Sequence, residues 1–565
     1  MDPKKFFVNK NSPLYELLSI MGQITPSGNS SGFALVVDDE ENLLGVVSDS
    51  DIRKFLLNKQ VLPDKIMDLV NSDFVYISEA EYINNLSTSI YEVVNVRGWK
   101  TKAPIRFLPI IENKKAVRIL DLIEIGGIIE NQKDLIYVIG LGYVGLTLSL
   151  FMASHRKKIV GIDLDQNKVE KLVKKISYVN ETGLQNLLEQ NVGTFFNPTS
   201  AYETIGQRNS GISATFVLCL PTPLDEFDQP NEKYLLEAIG ELAKFIKSGD
   251  LIVLRSTVPI GFCRKAVAII EEKTNLKVGI DFYLVFAPER TIEGNALIEL
   301  ETLPQILGGI TEQCQKKGLV FFQQFTSNTI SVDKIEEAEL IKISSNSYRD
   351  YTFAFSNYLA IVAQQYDLDI NALIKNANSG YTRNNFPAPS PGVGGPCLTK
   401  DPYFMPTIDS FDKSPIHVAR KFNEKMPERV VSFLKTQIGP EITSNEIAVL
   451  GLAFKGIPET NDLRNSTNIE IFKLLKTLND KVTVFEPTFE EDKEPEFNQK
   501  IEQPAIILVL NNHPKNLDKA LELLYRSKHP LIWLFDPWRL ISLNLTNLIK
   551  SKVVYLTLSN RKLKL

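Results

Sequence analysis

Cys397 is one of four cysteines in 565 residues, and it lies in PGVGGPCLTKDPYF, residues 391–404, among glycines and prolines, with Lys400 and Asp401 just beyond it. A structural cysteine ordinarily occupies an apolar strand or helix, the setting that ATFVLCL gives Cys219. A polar, turn-rich segment points instead to a thiol that reacts. A second chemical signal lies upstream. VIGLGYVGLTL carries Gly140, Gly142 and Gly145 directly after an apolar strand pattern and at the start of a helical one. Small residues in that register let the backbone turn tightly and approach a pyrophosphate, whose charge is met by the amides of the helix start. Asp163 ends the next apolar run about 20 residues on, where a carboxylate binds both ribose hydroxyls. Together these residues predict an NAD site. The carboxylate repels a 2′-phosphate and so disfavours NADP, with nearby Lys168 as a countervailing charge. A simple packing turn is the alternative reading of the glycines.

Three further groups carry potential chemistry. Lys342 and Asn346 are four apart in a helical tract and share a face with Glu339 and Arg349; by spacing alone this is a solvated stripe. Pro221 and Thr222 follow the strand of LCLPTP, at the carboxyl edge of a sheet, where doubly wound folds bind ligands. Lys455 and Arg464 follow the strand of EIAVLGLAF. Two cations at a strand end suit a diphosphate, or are ordinary surface charge.

The elements that must position these residues are legible as alternating patterns. IYVIG, KKIVGID, ATFVLCL and DLIVLRS are short apolar strands separated by helical stretches, as in a parallel doubly wound sheet. EIAVLGLAF, KVTVFEP, AIILVLN and PLIWLFDP repeat the alternation in a second α/β region, whose GLAFKG lacks the complete dinucleotide fingerprint. Between them KIEEAELIKISSNSYRDYTFAFSNYLAIVAQQ contains no proline or glycine and predicts one long helix joining domains. Near the amino end, FALVVDDEENLLGVVSDSDIRKFLL reads as strand, turn, strand, helix. RFLPIIENKKAVRILDLIEI, residues 106–125, repeats the paired strands, suggesting an internal duplication followed by an ENQKD linker at residues 130–134.

Composition bounds the rest. The length of 565 residues fits three or four domains, and a composition 44% hydrophobic and 23% charged fits a soluble globular protein; the net charge of −5 argues against a nucleic-acid-binding surface. No apolar run has the length of a signal peptide core or a membrane span, so a cytoplasmic protein is expected. Scattered cysteines and four histidines favour reduced thiols and no metal site.

VIGLGYVGLTL, LPTPL (220–224), RSTVPIGF (255–262), APERTIEGNAL (287–297), AELIKISSNSYRD (338–350), GGPCLTKDP (394–402) and GLAFKGIPETNDLRNS (451–466) stand in the order seen in nucleotide-sugar 6-dehydrogenases of the UDP-glucose/GDP-mannose dehydrogenase family. The resemblance spans residues 135–560. It implies NAD-dependent oxidation of a sugar C6 alcohol to a carboxylate, with Cys397 holding the intermediate aldehyde as a thiohemiacetal and then a thioester. It further implies Lys342 and Asn346 as oxyanion stabilisers, Asp401 and Glu289 in water and proton handling, Thr257 at the cofactor and water network, and Pro221 and Thr222 beside NAD. Glu289, Arg290, Lys342, Asn346, Lys455 and Arg464 would then contact the UDP-sugar.

Two departures stand out: Pro396 where many relatives have histidine, and Asn461 for a second acidic residue. APERTIEGNAL with ARKFNEKMP (419–427) resembles the UDP-N-acetylhexosamine branch, hence UDP-N-acetylmannosamine or UDP-N-acetylglucosamine, rather than the UDP-glucose branch. The amino-terminal region resembles a CBS-domain pair, with Ser48 and Asp51 of GVVSDSDIR in that family's position for an adenosine nucleotide. A structural role is the alternative.

The expected architecture is therefore a CBS pair over 1–130, an NAD-binding Rossmann domain over 135–330, a helical linking and dimerising region with the cysteine loop over 331–430, and a UDP-sugar-binding Rossmann-like domain over 440–560. A homodimer or larger homo-oligomer is expected. The rival functional readings are a UDP-glucose 6-dehydrogenase and an inactive, nucleotide-responsive binding protein.

Overall fold

A computed structural model describes residues 2–22, 32–59, 61–79, 107–121, 135–208, 212–326, 328–408, 414–489, 494–541, 552–559 and 563–564. The ENQKD linker and the end of the second amino-terminal pattern lie outside these residues. The chain divides into two compact units, Met1–Asp134 and Leu135–Leu565.

In the first unit, β1 (Phe7–Asn9), β2 (Phe33–Val37) and β3 (Leu43–Ser48) form one sheet, and β4 (Ile77–Ser78), β5 (Phe107–Glu112) and β6 (Lys115–Asp121) a second. Each has a parallel pair followed by an antiparallel hairpin, and each hairpin carries a register shift at the matching place, Val36/Val37 and Ile110/Ile111. The duplication read in the sequence is thus a duplication of topology. Phe33 and Leu35 from the first sheet and Phe107 and Ile119 from the second share one core.

In the second unit, β7 (Leu135–Ile139), β8 (Ile159–Ile162), β9 (Phe196–Thr199), β10 (Ala214–Leu218), β11 (Leu251–Leu254), β12 (Tyr283–Phe286), β13 (Gln305–Gly309) and β14 (Thr329–Ser331) make an eight-stranded sheet of order β14-β13-β12-β11-β10-β7-β8-β9. From β12 to β9 the strands are parallel. Strand order reverses between β7 and β10, which creates the crevice where such sheets bind ligands. The strands are almost wholly apolar because helices cover both faces, and two separate cores lie above and below.

Residues Ile335–Gln365 form a single helix of 31 residues, about 46 Å long at 1.5 Å per residue. It leads by way of the cysteine loop and the helices Pro415–Glu424 and Met426–Ile438 to a second sheet. That sheet contains β15 (Ile447–Leu450), β16 (Val482–Phe485), β17 (Ile506–Val509), β18 (Ile532–Phe535), β19 (Val553–Leu556) and β20 (Leu563–Lys564), ordered β16-β15-β17-β18-β19-β20. Its strand order reverses between β15 and β17. The two doubly wound sheets and the joining helix match the architecture expected from sequence. Among the described residues no helix is long and apolar enough to cross a membrane, and no group of His, Cys, Asp and Glu could hold a metal ion.

Candidate active site

The turn after β7 has the form a dinucleotide requires. Gly140 has φ +90°, and a Cβ there would lie 2.6 Å from the Cys219 carbonyl oxygen; a Cβ on Gly145 would lie 1.8 Å from the Gly140 carbonyl oxygen. A side chain at Gly140 would push the turn off the end of β10, and one at Gly145 would force the helix away from the turn. Gly142, at the start of the helix Tyr143–Ser154, has open space where its Cβ would be, so the helix amides are accessible to a phosphate. Asp163, at the carboxyl end of β8, accepts hydrogen bonds from the Leu141 amide at 2.8 Å and the Asp165 amide at 3.0 Å. Lys168 Nζ lies 3.6 Å from the same carboxylate. Across the crevice, Thr222 Oγ1 donates to the Thr257 carbonyl at 2.7 Å, tying the ends of β10 and β11 together, with Pro221 exposed beside them. These residues fit NAD: the glycine turn and helix start would hold the pyrophosphate and Asp163 the ribose.

The long helix presents Lys342 and Asn346 inward, each only 8% exposed. The stripe is therefore buried, contrary to what spacing alone suggests. Glu339, one turn earlier, is fully buried and accepts the amides of Gly261 and Cys263 at 2.6 and 2.9 Å, capping the helix Phe262–Thr274. Asn346 Nδ2 donates to Asp401 Oδ2 at 2.6 Å, and Lys400 Nζ donates to the other carboxylate oxygen at 2.6 Å. The Asp401 amide in turn donates to the Cys397 carbonyl at 2.9 Å, closing a turn that brings Cys397, an exposed residue, next to the buried carboxylate in the chain. Desolvation by the crowded loop, reinforced by the Asp401 charge, holds that thiol above its ordinary range, with Lys342 and Lys400 opposing. Cys219 behaves as the structural thiol its apolar context suggests, pushed up to about 12 by burial.

Lys342 Nζ donates to the backbone carbonyl of Glu289. The Glu289 carboxylate is itself committed: one oxygen accepts the amides of Arg290 and Thr291 at 2.7 and 2.8 Å, and the other pairs with Arg255. Burial pushes Glu289 up, but the Arg255 guanidinium, the Thr291 amide and the Lys342 ammonium together hold the carboxyl below its usual range. Arg255 is 2% exposed and also donates to Gln305 at 3.0 Å. It opens the RSTVPIGF motif, but nothing in that motif marks its partner, 34 residues away on the next strand end.

Three family models match the second unit: the NAD-binding domain of the UDP-glucose/GDP-mannose dehydrogenase family over residues 134–326, its central domain over 336–425 and its UDP-binding domain over 448–540. A CBS-domain model matches residues 1–58. The UDP-N-acetyl-D-mannosamine dehydrogenase of Pyrococcus horikoshii is 30% identical over 387 residues, covering 67% of this chain and 90% of the relative. That of Campylobacter jejuni is 32% identical over 371 residues, covering 64% and 88%. A solved UDP-D-ManNAc dehydrogenase structure from P. horikoshii superposes with a TM-score of 0.65 at 28% identity, covering 72% of this chain and 96% of that one. The chain belongs to the UDP-glucose/GDP-mannose dehydrogenase family. It is an NAD-dependent nucleotide-sugar dehydrogenase with a UDP-sugar substrate, preceded by a CBS domain.

In this dehydrogenase Lys455 and Arg464, the cations expected to meet a diphosphate, both engage Glu293. Lys455 Nζ donates to the Glu293 carbonyl at 2.6 Å, and Arg464 lies 3.5 Å from the Glu293 carboxylate while also pairing with Asp462. Burial and the neighbouring Asp462 push Glu293 up, with Arg464 and Lys455 opposing. Arg290 does not join the cluster; its guanidinium donates to the Pro304 carbonyl. The turn after β15 is filled internally: fully buried Glu486 accepts the Leu452 and Ala453 amides at 2.5 and 2.8 Å, so those amides are committed to a carboxylate of the fold. In the first unit, Ser48 Oγ and its amide both donate to Asp51 Oδ2, at 2.5 and 2.9 Å, a closure of the helix start that serves capping by itself.

Proposed function

We propose that the enzyme oxidises the C6 alcohol of a UDP-N-acetylhexosamine to the uronic acid through a Cys397 thiohemiacetal and thioester, with UDP-N-acetylmannosamine preferred over UDP-N-acetylglucosamine, to supply surface polysaccharide synthesis. The observation that carries this reading is that buried Asn346 bonds Asp401 and that the charges of Asp401 and buried Lys342 both act on Cys397, an exposed residue. The relatives named above are UDP-N-acetyl-D-mannosamine dehydrogenases, and the branch motifs in the sequence agree with them.

When bound, NAD would supply the hydride acceptor for both oxidations, one molecule for each, with NADH exchanged for NAD in between. In the first, Asp401 takes the C6 hydroxyl proton while the Lys342 ammonium and Asn346 amide stabilise oxyanion character. The Cys397 thiol then adds across the aldehyde: a C–S bond forms and the proton goes to the C6 oxygen. Loss of the second hydride, with the hydroxyl proton taken by Asp401 after it has released the first proton to solvent, leaves a thioester; water cleaves it, giving one proton to the departing sulfur and one to solvent through Asp401, which restores the thiol and releases the carboxylate. Glu289 serves chiefly to place Lys342 through its carbonyl, since its carboxylate is occupied by Arg255 and two amides. Thr257, joined to Thr222, shapes the cofactor edge, and Lys455 and Arg464 receive the UDP diphosphate in place of Glu293. Arg290 acts as a scaffold for this loop.

The proposed domains are 1–130, 135–330, 331–430 and 440–560. Tyr348, Tyr351, Phe355 and Tyr358, between 42% and 66% exposed, line one side of the long helix and form the homodimer contact. An adenosine nucleotide at Ser48 and Asp51 regulates the rate; calorimetry with AMP, ADP and ATP on the intact protein and its Asp51→Ala variant tests this. The substrate assignment is tested by following NAD reduction against UDP-N-acetylmannosamine, UDP-N-acetylglucosamine, UDP-glucose and GDP-mannose. Two NADH per UDP-N-acetylmannosamine support it, and preference for UDP-glucose overturns it.

A further inference from the structure

Arg420 and Asn423 belong to ARKFNEKMP, a segment that so far has served only to distinguish branches of the family. Arg420 lies in the helix Pro415–Glu424 and is 1% exposed. Its guanidinium donates to Asp350 Oδ1 at 2.8 Å, to the Leu398 carbonyl at 3.1 Å and to the Val393 carbonyl at 3.3 Å. The two carbonyls flank Cys397, one residue after it and four before. Asp350 stands one turn beyond Asn346 on the long helix, and Asn423 Nδ2 fixes it by donating to its carboxylate and its carbonyl, both at 2.9 Å. Asn357, two turns further along the same helix, accepts the Ser390 amide at 2.9 Å and donates to Asn423 at 3.2 Å. The loop bearing the nucleophile is thus tied, through one buried cation, to the helix bearing Lys342 and Asn346.

A buried guanidinium–carboxylate pair is a poor source of stability, because desolvation consumes most of the attraction. What it offers over an apolar side chain is direction, since a planar guanidinium fixes several acceptors at once. We infer that Arg420, oriented by Asp350 and Asn423, is a positioning residue that holds the Cys397 loop in register with Lys342 and Asn346, so that the aldehyde is captured before it leaves. The inference rests on the covalent role proposed for Cys397. Its signature differs from that of general destabilisation: the first oxidation, which forms no bond to sulfur, survives, while capture fails.

The test uses the full-length enzyme with NAD, UDP-N-acetylmannosamine and hydroxylamine as an aldehyde trap, comparing wild type with Arg420→Lys, Asp350→Asn and Cys397→Ser. Lysine keeps the charge but cannot reach both carbonyls. Arg420→Lys is expected to fold, to bind UDP-sugar within about threefold of wild type, and to lose about 100-fold in acid formation, the scale of a misplacement near 1 Å. NADH per sugar consumed should fall from two towards one as trapped aldehyde appears. A folded variant that forms acid normally, or one that slows while still yielding two NADH without trapped aldehyde, overturns the inference. Should Arg420→Lys fail to fold, Asp350→Asn carries the same comparison, and failure of both to fold assigns the network to stability and overturns it too. Cys397→Ser separates the two claims: if it forms acid normally, the covalent reading itself fails.

Discussion

Replacing Arg255 with methionine removes the cation paired with Glu289 and leaves a largely buried carboxylate, with 12% of its side chain exposed, hydrogen-bonded to two backbone amides and with Lys342 as its remaining nearby positive charge. Breaking a buried pair in this way costs about 3–5 kcal/mol. For a domain of roughly 200 residues, that lowers the melting temperature by about 6–20 °C near neutral pH. The sign of the pH dependence follows from the same pair. In the wild type Glu289 is held below its ordinary range, so its pairing stabilises the fold above the unfolded-state value and is lost as pH falls through the folded-state value. In the variant, burial without the cation raises the carboxyl, so acid relieves the penalty by protonating it. The gap between wild type and Arg255→Met should therefore narrow as pH drops from 7 towards 4, and Arg255→Met/Glu289→Gln should recover much of the loss at pH 7. Differential scanning calorimetry across that range reads both effects. A gap independent of pH, or a double variant no more stable than the single one, would refute the claim that Arg255 serves to hold Glu289 ionised.

Lys342→Ala should lower kcat by about 100- to 1,000-fold with little change in KM, because the ammonium acts where oxyanion character develops; steady-state kinetics decides. Gly145→Ala should abolish the thermal shift that NAD gives the wild type, since the added Cβ would lie 1.8 Å from the Gly140 carbonyl oxygen. Asp163→Ala should weaken NAD and narrow the gap to NADP, read as the ratio of the two kcat/KM values. Alkylation of Cys397 by iodoacetamide in the ligand-free enzyme should still be accelerating above pH 9, because desolvation and Asp401 hold the thiol above its ordinary range; peptide mass spectrometry follows the rate.

The parts of this enzyme that repeat or alternate were readable from residue types. The strands β7, β8, β10 and β11 are apolar runs with turn signals between them, and the helix Ile335–Gln365 is a tract free of glycine and proline. The glycine turn was readable because spacing itself carries its geometry. Lys342 and Asn346 were placed on one helical face by their separation, but whether that face is buried depends on what packs against it, and helical period is silent on that. Spacing also left Glu339 indistinguishable from a surface charge, whereas it caps a helix more than 70 residues earlier in the chain. Arg255 with Glu289, Glu181 with the Gly294 and Ala296 amides, and Arg420 with Asp350 were not legible for the same reason. Each joins residues from separate elements, 34 to 115 positions apart, with no local pattern to mark the pair.

The covalent route through Cys397 is tested most directly by mass spectrometry of enzyme quenched in acid during turnover of UDP-N-acetylmannosamine with NAD. Acid preserves a thioester while stopping its hydrolysis. The peptide containing Cys397 should carry the mass of the UDP-N-acetylmannosaminuronyl group, and the adduct should accumulate in Asp401→Asn, in which hydrolysis is slowed. An unmodified Cys397 peptide under conditions that release two NADH and the uronic acid, in both the wild type and Asp401→Asn, would contradict the covalent route.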